Sequence, residues 1–415
     1  MGYSVGLICR ECATTYPAEA RYVCEWCFGP LEVRYDLEAA RGRVTRESIE
    51  AGPRSMWRYR DLLPEVGDAP VDLGTGWTPL RRADRLAERL GVRELWLKDD
   101  TRNPTGSFKD RVVSVALSTA RRLDFTTAAC ASTGNLATSV AAHAAAMGWP
   151  SVTIIPSDLE TSKIVMAAVF GGVVLGVEGN YDDVNRLCVE LVSEHPDWAF
   201  ANVNLRPYYA EGSKTLAFEI AEQLGWRLPD QVVVPIASGS QFTKVAKGFD
   251  QLRALGLVEG AAPRLFGAQA AGCSPVATAF AEGAEAIRPQ KPHTVARSLA
   301  IGNPADGPYV LDELRSGGGD CGSVTDEAIL EGIELLASTE GVFAETAGGT
   351  TIASLRQMVR RGTIDTEGSI VAIISGHGLK TVEALEGRSR VTATIPATLA
   401  AAQEALAARL LVGAS

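Results

Sequence analysis

Asn103-Pro104-Thr105-Gly106-Ser107-Phe108-Lys109-Asp110-Arg111 places one lysine where turn chemistry gives way to a helix. Upstream, Glu94-Leu95-Trp96-Leu97-Lys98 reads as a short strand, and Asn103 to Gly106 carries turn residues. Downstream, Arg111 to Arg122 has Val112, Val115, Ala116 and Thr119 at helical spacing, with Ser107 as the candidate cap. A lysine on such a rigid, partly desolvated edge can lose its proton and form a Schiff base with a carbonyl cofactor. Taken alone, a lysine at a helix start is usually only solvated. The rest of the chain has to decide between the two readings.

Moving outward, apolar β-rich runs alternate with helical patterns. The strand candidates are Thr126 to Ala131, Ser151 to Ile155, Val173 to Val177, Val232 to Ile236, Leu265 to Gln269 and Ile370 to Ile374. Between them, Asn135 to Met147, Tyr181 to Ser193, Glu211 to Leu224, Thr243 to Leu255 and Thr325 to Leu336 read as helices. The alternation predicts an α/β fold with parallel-type sheets covered by helices, whose ligand sites lie beyond the carboxyl ends of the strands. Asp36 to Pro70 reads as a polar helical lead-in, and Gly317-Gly318-Gly319-Asp320 as an exposed turn. No internal repeat or low-complexity linker interrupts the pattern, and no G-x-G-x-x-G run follows a strand, so a dinucleotide enzyme has no support.

Three loops in this scheme carry site chemistry. Val232 to Ile236 runs into Ala237-Ser238-Gly239-Ser240-Gln241, where backbone N–H groups and a helix start form an anion site; small residues also make ordinary strand-helix turns. Ser132-Thr133-Gly134-Asn135 offers hydroxyls, an amide and backbone donors to a carboxylate, the plain alternative being an N-cap. Ser375 follows the strand Ile370 to Ile374 and precedes a glycine-rich turn, so its hydroxyl can point beyond the sheet, although many serines do so as caps. His377, close by in sequence, is expected to play a positional role.

At 415 residues the chain is too long for one ordinary core, and two domains plus a small appendage are expected. With 46% hydrophobic and 22% charged residues it reads as soluble and globular, and a net charge of -10 argues against a nucleic-acid surface. An anionic small substrate then needs a local positive pocket. Met1 to Val5 lacks a basic region leading into an apolar core, and no apolar run reaches membrane-spanning length, which predicts a cytoplasmic protein without membrane attachment.

Cys9-Arg10-Glu11-Cys12 and Cys24-Glu25-Trp26-Cys27 form two C-x-x-C knuckles eleven residues apart, a spacing that presents four thiolates tetrahedrally to one zinc ion. Disulfides, a lost metal or a rubredoxin-like iron are the alternatives. Arg10 and Arg21 face Glu11, Glu19 and Glu25 in this module, a poor phosphate-binding surface, so a structural clip or subunit contact is expected. Cys130, Cys188, Cys273 and Cys321 sit among apolar or small residues and read as buried reduced thiols.

The lysine run is similar to the pyridoxal-phosphate lysine motif of the threonine synthases, members of the tryptophan-synthase-β-like (fold-type II) enzymes. The likeness extends from Gly74-Thr75-Gly76-Trp77-Thr78-Pro79-Leu80 to Ser375-Gly376-His377-Gly378-Leu379-Lys380, and one bacterial branch shares the Cys-rich N-terminus. This resemblance implies a two-domain fold-type II PLP enzyme with a small N-terminal zinc ribbon. The zinc-ribbon-like module is residues 1–36, the large PLP-binding domain 37–114 and 206–415, and the small mobile substrate domain 115–205. Closure of the small domain would exclude water.

The resemblance also assigns roles. Lys109 would hold the cofactor and act as the base. Ala237, Ser238, Gly239, Ser240 and Gln241 would seat its phosphate, although many members have more Gly and Asn where this chain has Ala237 and Ser238. Asn135 would contact the ring hydroxyl, while Ser132 and Thr133 would hold the substrate carboxylate. Ser375 would face the pyridine nitrogen, favouring a neutral ring. Asn204, Arg206, Ser213 and Lys214 would meet the phosphate of O-phosphohomoserine, in a segment where Leu205 to Ala210 is longer than the shorter family version. The implied reaction is β,γ-elimination of phosphate and water addition at Cβ by a homodimer. Other fold-type II lyases, such as a threonine dehydratase or a cysteate synthase, share the lysine and the loop. A zinc-ribbon binding protein with a degenerate body is a third reading.

Overall fold

The structure, a computed structural model, describes residues 2–410 apart from 68, 133, 158–160, 180 and 389–390. Met1–Lys380 and Thr381–Ser415 form two compact units. The second contains a single-turn 3-10 helix, Val382–Leu385, and the helix Leu399–Leu410.

The first unit is built on a six-stranded sheet with the order Asp320–Val324, Arg264–Ala270, Gln231–Pro235, Ser369–Ile374, Glu94–Asp99, Leu80–Arg82. All neighbours are parallel except Leu80–Arg82, which runs antiparallel to Glu94–Asp99. Gln231–Pro235 and Ser369–Ile374 are buried at every residue, which explains their continuous apolar runs: each is covered on both faces. On one face Ile352, Leu355 and Met358 of the helix Thr346–Arg361 pack against Val233, Ile370 and Ala372. On the other, Phe242, Val245 and Phe249 of the helix Ser240–Ala254 pack against Val232, Val234 and Ile373.

A second sheet of four parallel strands has the order Val173–Val177, Ser151–Pro156, Thr127–Ala131, Trp198–Phe200. The N-terminal segment forms a third, antiparallel sheet in the order Thr15–Tyr16, Ser4–Cys9, Leu31–Tyr35. Its buried Leu7, Cys9, Cys24, Leu31 and Val33 share one apolar cluster with Val113, Leu117 and Tyr208.

The six strands expected from alternation all occur, within a residue or two of their expected ends. Several expectations are corrected. Ser107 does not cap the lysine helix: Lys109–Arg122 begins after Phe108 without any side-chain cap, and the buried Ser107 hydroxyl has no partner. Among its described residues, Asp36 to Pro70 is mostly non-helical, holding Leu37–Ala40, Arg46–Glu50 and the 3-10 helix Met56–Leu62, because Gly52, Pro53 and Pro64 break it. The glycine turn ends at Gly319, since Asp320 already starts an edge strand.

Candidate active site

Parallel pairing brings the carboxyl ends of Gln231–Pro235, Ser369–Ile374 and Glu94–Asp99 to one edge of the large sheet, so the three loops that follow them converge. The lysine loop and the serine loop are stitched by backbone. Phe108 N–H donates to Ser375 O at 2.8 Å, His377 N–H donates to Gly106 O at 2.9 Å, and Ser107 and Gly376 form a bridge. Asp110 fixes the turn from the other side: its carboxylate accepts from Thr105 N and Thr105 Oγ1, both at 2.7 Å, and from Ser139 Oγ at 2.6 Å. Ser139 lies on the helix Asn135–Met147, so one carboxylate ties the lysine turn to the helix that follows the second sheet's strand.

Beneath the lysine, Arg111 is fully buried and paired with Asp100 at 2.7 Å and Glu219 at 2.5 Å, and Lys98 also meets Glu219 at 2.5 Å. Burial alone would raise the Glu219 carboxyl, but the Arg111 and Lys98 charges more than reverse this and hold it at about 2. The network leaves Lys109 on a foundation that costs several kcal/mol to disrupt.

Lys109 Nζ donates to Tyr209 Oη at 3.0 Å and sits 4.5 Å over the Phe108 ring. Asn135 and Ser375, paired in the sequence only by role, meet on one residue: Asn135 Nδ2 donates to Glu345 Oε2 at 2.9 Å and Ser375 Oγ to Glu345 Oε1 at 3.3 Å. Glu345 N–H donates to Gly376 O at 2.9 Å, and a Cβ on Gly376 would stand 2.4 Å from Glu345 Oε1, so a side chain there would displace that carboxylate. Burial raises the Glu345 carboxyl above its usual range, against Asn135, Lys380, Ser375 and Lys109, which pull it down.

The loop Ala237 to Gln241 enters the helix Ser240–Ala254 through Gly239 at φ +95°, where a side chain would press on Val310 and Asp306. Ser238 and Ser240 are partly exposed, while Gln241 Nε2 is buried without a partner. A helix N-terminus, glycine-permitted close approach and an orphaned donor suit an anionic phosphate group.

The remaining predicted residues are less uniform. Arg206, at the start of the helix Arg206–Glu211, is a third exposed and pairs with Asp306 at 3.0 Å. Asn204 donates to Trp198 O at 3.0 Å, and its own Oδ1 is buried without a partner. Ser213 is buried. Lys214 is fully buried, 2.7 Å from Glu211 and 3.7 Å over the Tyr35 ring, and burial lowers its ammonium to about 7. Its charge is therefore matched inside the protein, beside the N-terminal module. Ser132 is partly buried, and Thr133 lies outside the described residues. His377 Nδ1 accepts from Leu379 N–H at 3.1 Å, in keeping with a positional role.

Sequence reasoning missed Glu345, Tyr209 and Asp306. The only sequence trace of Glu345 is an acid directly before the small-residue run Thr346-Ala347-Gly348-Gly349, and Tyr209 sits three residues after Arg206, on the same helical face.

The four cysteine sulfurs of the N-terminus lie within 4.8 Å of one another. Cys9 and Cys27 are 3.4 Å apart, Cys12 and Cys24 3.6 Å, and all four are free thiols. Four sulfurs at tetrahedral-edge separations suit a single thiolate-bound ion.

A family profile described as "Pyridoxal-phosphate dependent enzyme" matches residues 71–376. The chain is 38% identical over 380 residues to a threonine synthase of Methanocaldococcus jannaschii, covering 91% of this chain and 93% of the relative. It is 37% identical over 403 residues to one from Methanosarcina acetivorans, covering 96% and 98%. Among solved structures, the processed form of threonine deaminase isoform 2 from Solanum lycopersicum superposes with a TM-score of 0.62 at 22% identity, covering 75% of this chain and 84% of that one, a likeness of fold.

Proposed function

We infer the following from the premise that this chain belongs to the pyridoxal-phosphate-dependent enzymes and, within them, to the threonine synthase family. The protein converts O-phosphohomoserine and water to L-threonine and phosphate. The observation that carries its own residues into that chemistry is the convergence of Lys109, Ser375 and Asn135, joined through Glu345 and the stitched loops.

Pyridoxal phosphate, when bound, supplies the carbonyl that captures an amine and the ring that delocalises the electrons of a broken Cα–H bond. Lys109 is the group that would hold it and, once released, move protons at Cα, Cβ and Cγ of the substrate. Tyr209, 3.0 Å from Lys109 Nζ, orients that amine. The loop Ala237, Ser238, Gly239, Ser240 and Gln241 would take the cofactor phosphate, Ser375 the ring nitrogen and Asn135 the ring hydroxyl. Ser132 and Thr133 receive the substrate carboxylate. For the substrate phosphate we favour Arg206, whose guanidinium is accessible, with Asn204 near it in sequence, over Ser213, which is buried, and Lys214, which is buried and paired with Glu211. We assign 115–205 to the substrate domain, 37–114 and 206–415 to the cofactor domain, and 1–36 to a zinc-binding module held by Cys9, Cys12, Cys24 and Cys27. A cytoplasmic homodimer without nucleic-acid or membrane partners completes the reading. Its support is the resemblance, the net charge of -10 and the absence, among the described residues, of any helix long and apolar enough to cross a membrane.

The deciding experiment incubates purified, cofactor-loaded enzyme with O-phosphohomoserine and follows inorganic phosphate and threonine together. Equimolar release is expected. Phosphate accompanied by a keto acid would mean an elimination enzyme, and no release would overturn the reading.

A further inference from the structure

The six-residue helix Arg206–Glu211 carries Tyr209, which meets Lys109, and it is held by the N-terminal module at three points. At its start, Arg206 shares the Asp306 carboxylate with Arg10 of the first cysteine knuckle, at 3.0 and 3.6 Å. Arg10 is seated by stacking 3.5 Å over the Tyr309 ring, whose hydroxyl bonds Glu11. In its middle, Tyr208 Oη donates to Glu19 O at 2.8 Å, and the Tyr208 ring lies in the cluster that includes Cys9 and Cys24. At its end, Glu211 accepts from Tyr35 Oη at 2.9 Å and pairs with Lys244 and Lys247, both of which also pair with Glu32 of the module. Lys244 stands one turn into the helix that opens at the phosphate loop, and Asp306 N–H donates to Ser238 O at 2.8 Å. The module thus grips the elements that line the pocket.

We propose that the four-cysteine module is a positioning element for catalysis, fixing the helix Arg206–Glu211 so that Tyr209 is set on Lys109 and Arg206 at the pocket rim. Residues 206 and 209 are presented together because they lie three apart on one helical face. The helix runs on through the 3-10 turn Gly212–Lys214 into the helix Thr215–Gln223, so its C-terminal end is anchored there, while the placement of its N-terminal end, with Arg206 and Tyr209, depends on what holds it. Closing the four thiols around one ion orders the knuckle that carries Arg10 and the segment that carries Glu19 and Tyr35, and that order is transmitted to Lys109.

The proposal rests on Lys109 as the reactive amine and Arg206 as a phosphate ligand, so the test separates the two layers. Tyr208→Phe removes one hydroxyl on the module side, and Arg10→Ala one cation on Asp306. Tyr208→Phe is expected to lower kcat about tenfold, and Arg10→Ala to raise KM for O-phosphohomoserine by a similar factor, with thermal melting of both near the parent. Arg10→Lys should restore most of the KM. Independently of turnover, the pH midpoint of the bound cofactor's visible absorbance should shift in Tyr208→Phe and in zinc-stripped protein in the same direction. Combining Tyr208→Phe with Tyr209→Phe should cost no more than Tyr209→Phe alone. If Tyr209→Phe and Arg206→Ala are impaired while Tyr208→Phe, Arg10→Ala and the zinc-stripped protein keep parental kinetics and midpoint, the module is a clip and the proposal is overturned. If Tyr209→Phe and Arg206→Ala are themselves unimpaired, it is the reading of the pocket that falls.

Discussion

Asn135 donates its side-chain amide to Glu345 at 2.9 Å, so a carboxylate invisible to motif reasoning joins the helix that follows the strand Thr127–Ala131 of the second sheet to the loop after the last strand of the first. Glu345→Gln keeps the shape but replaces one acceptor oxygen with an amide. We expect kcat to fall about tenfold. Because burial raises the Glu345 carboxyl above 4.5, activity that needs its charge declines as pH falls through that raised value. The variant should lack this acid limb, as a pH-rate profile would reveal; an unchanged limb would remove Glu345 from the pocket's chemistry.

If Lys109 is the cofactor lysine, Lys109→Ala should lose at least about a thousandfold in turnover together with the visible absorbance of a lysine-bound cofactor. Spectra and phosphate release measured on the same sample check this, and substantial retained activity would sink the assignment.

Ser375→Asp places a carboxylate where we propose that the hydroxyl faces the ring nitrogen, a change that would strengthen the ring as an electron sink. The ratio of keto acid to threonine is expected to rise severalfold. The new charge also stands close to Glu345, so the melting temperature should drop by a few degrees. A product ratio equal to the parent's argues against the ring-nitrogen role.

Glu219 titrates near 2 in the folded chain, although burial opposes its charge, because Arg111 and Lys98 stabilise it. A depressed carboxyl contributes stability that is full above its ordinary value of 4.5 and is lost as pH falls from there towards about 2. The contribution is on the order of 3 kcal/mol. Melting curves between pH 6 and about 2 should show this loss in the parent. Glu219→Gln, destabilised at neutral pH, should show a shallower acid slope; a slope equal to the parent's would mean that protonation of Glu219 does not drive the acid loss.

One zinc per chain is expected from metal analysis of protein purified without chelators, and Cys24→Ser should lower that ratio to near zero. Strong visible absorbance from iron would instead favour the rubredoxin-like alternative.

Much of the fold was legible because its signal was local. Strands such as Val232 to Ile236 and Ile370 to Ile374 announce themselves as continuous apolar runs, and the lysine turn carries its own chemistry. Helix Thr346–Arg361 was not visible, since Thr346-Ala347-Gly348-Gly349-Thr350-Thr351 is a poor helix former held by burial on the sheet. Edge strands Asp320–Val324 and Trp198–Phe200 were missed for a related reason: pairing with neighbours, not composition, makes them strands. At the site, Lys109, Asn135 and Ser375 stood out by their place at strand-to-helix or strand-to-turn junctions, while the roles proposed for them came from the family resemblance. Glu345 and Tyr209 did not stand out, because their roles come from distance across the fold, and Lys214 changed character once Glu211 and Tyr35 enclosed it.

The central strand Ser369–Ile374 pairs on one side with Glu94–Asp99 and on the other with Gln231–Pro235. During synthesis, both partners emerge from the ribosome long before the strand that joins them. Until it arrives, each presents a bare, apolar edge in what will become the middle of the sheet. Synthesis therefore includes an interval of exposure to aggregation, and the Lys109 loop cannot be stitched to the Ser375 loop until nearly the whole first unit has been translated. Such late, long-range pairing is expected to slow folding, because the loop between the partners must close before the sheet is rewarded.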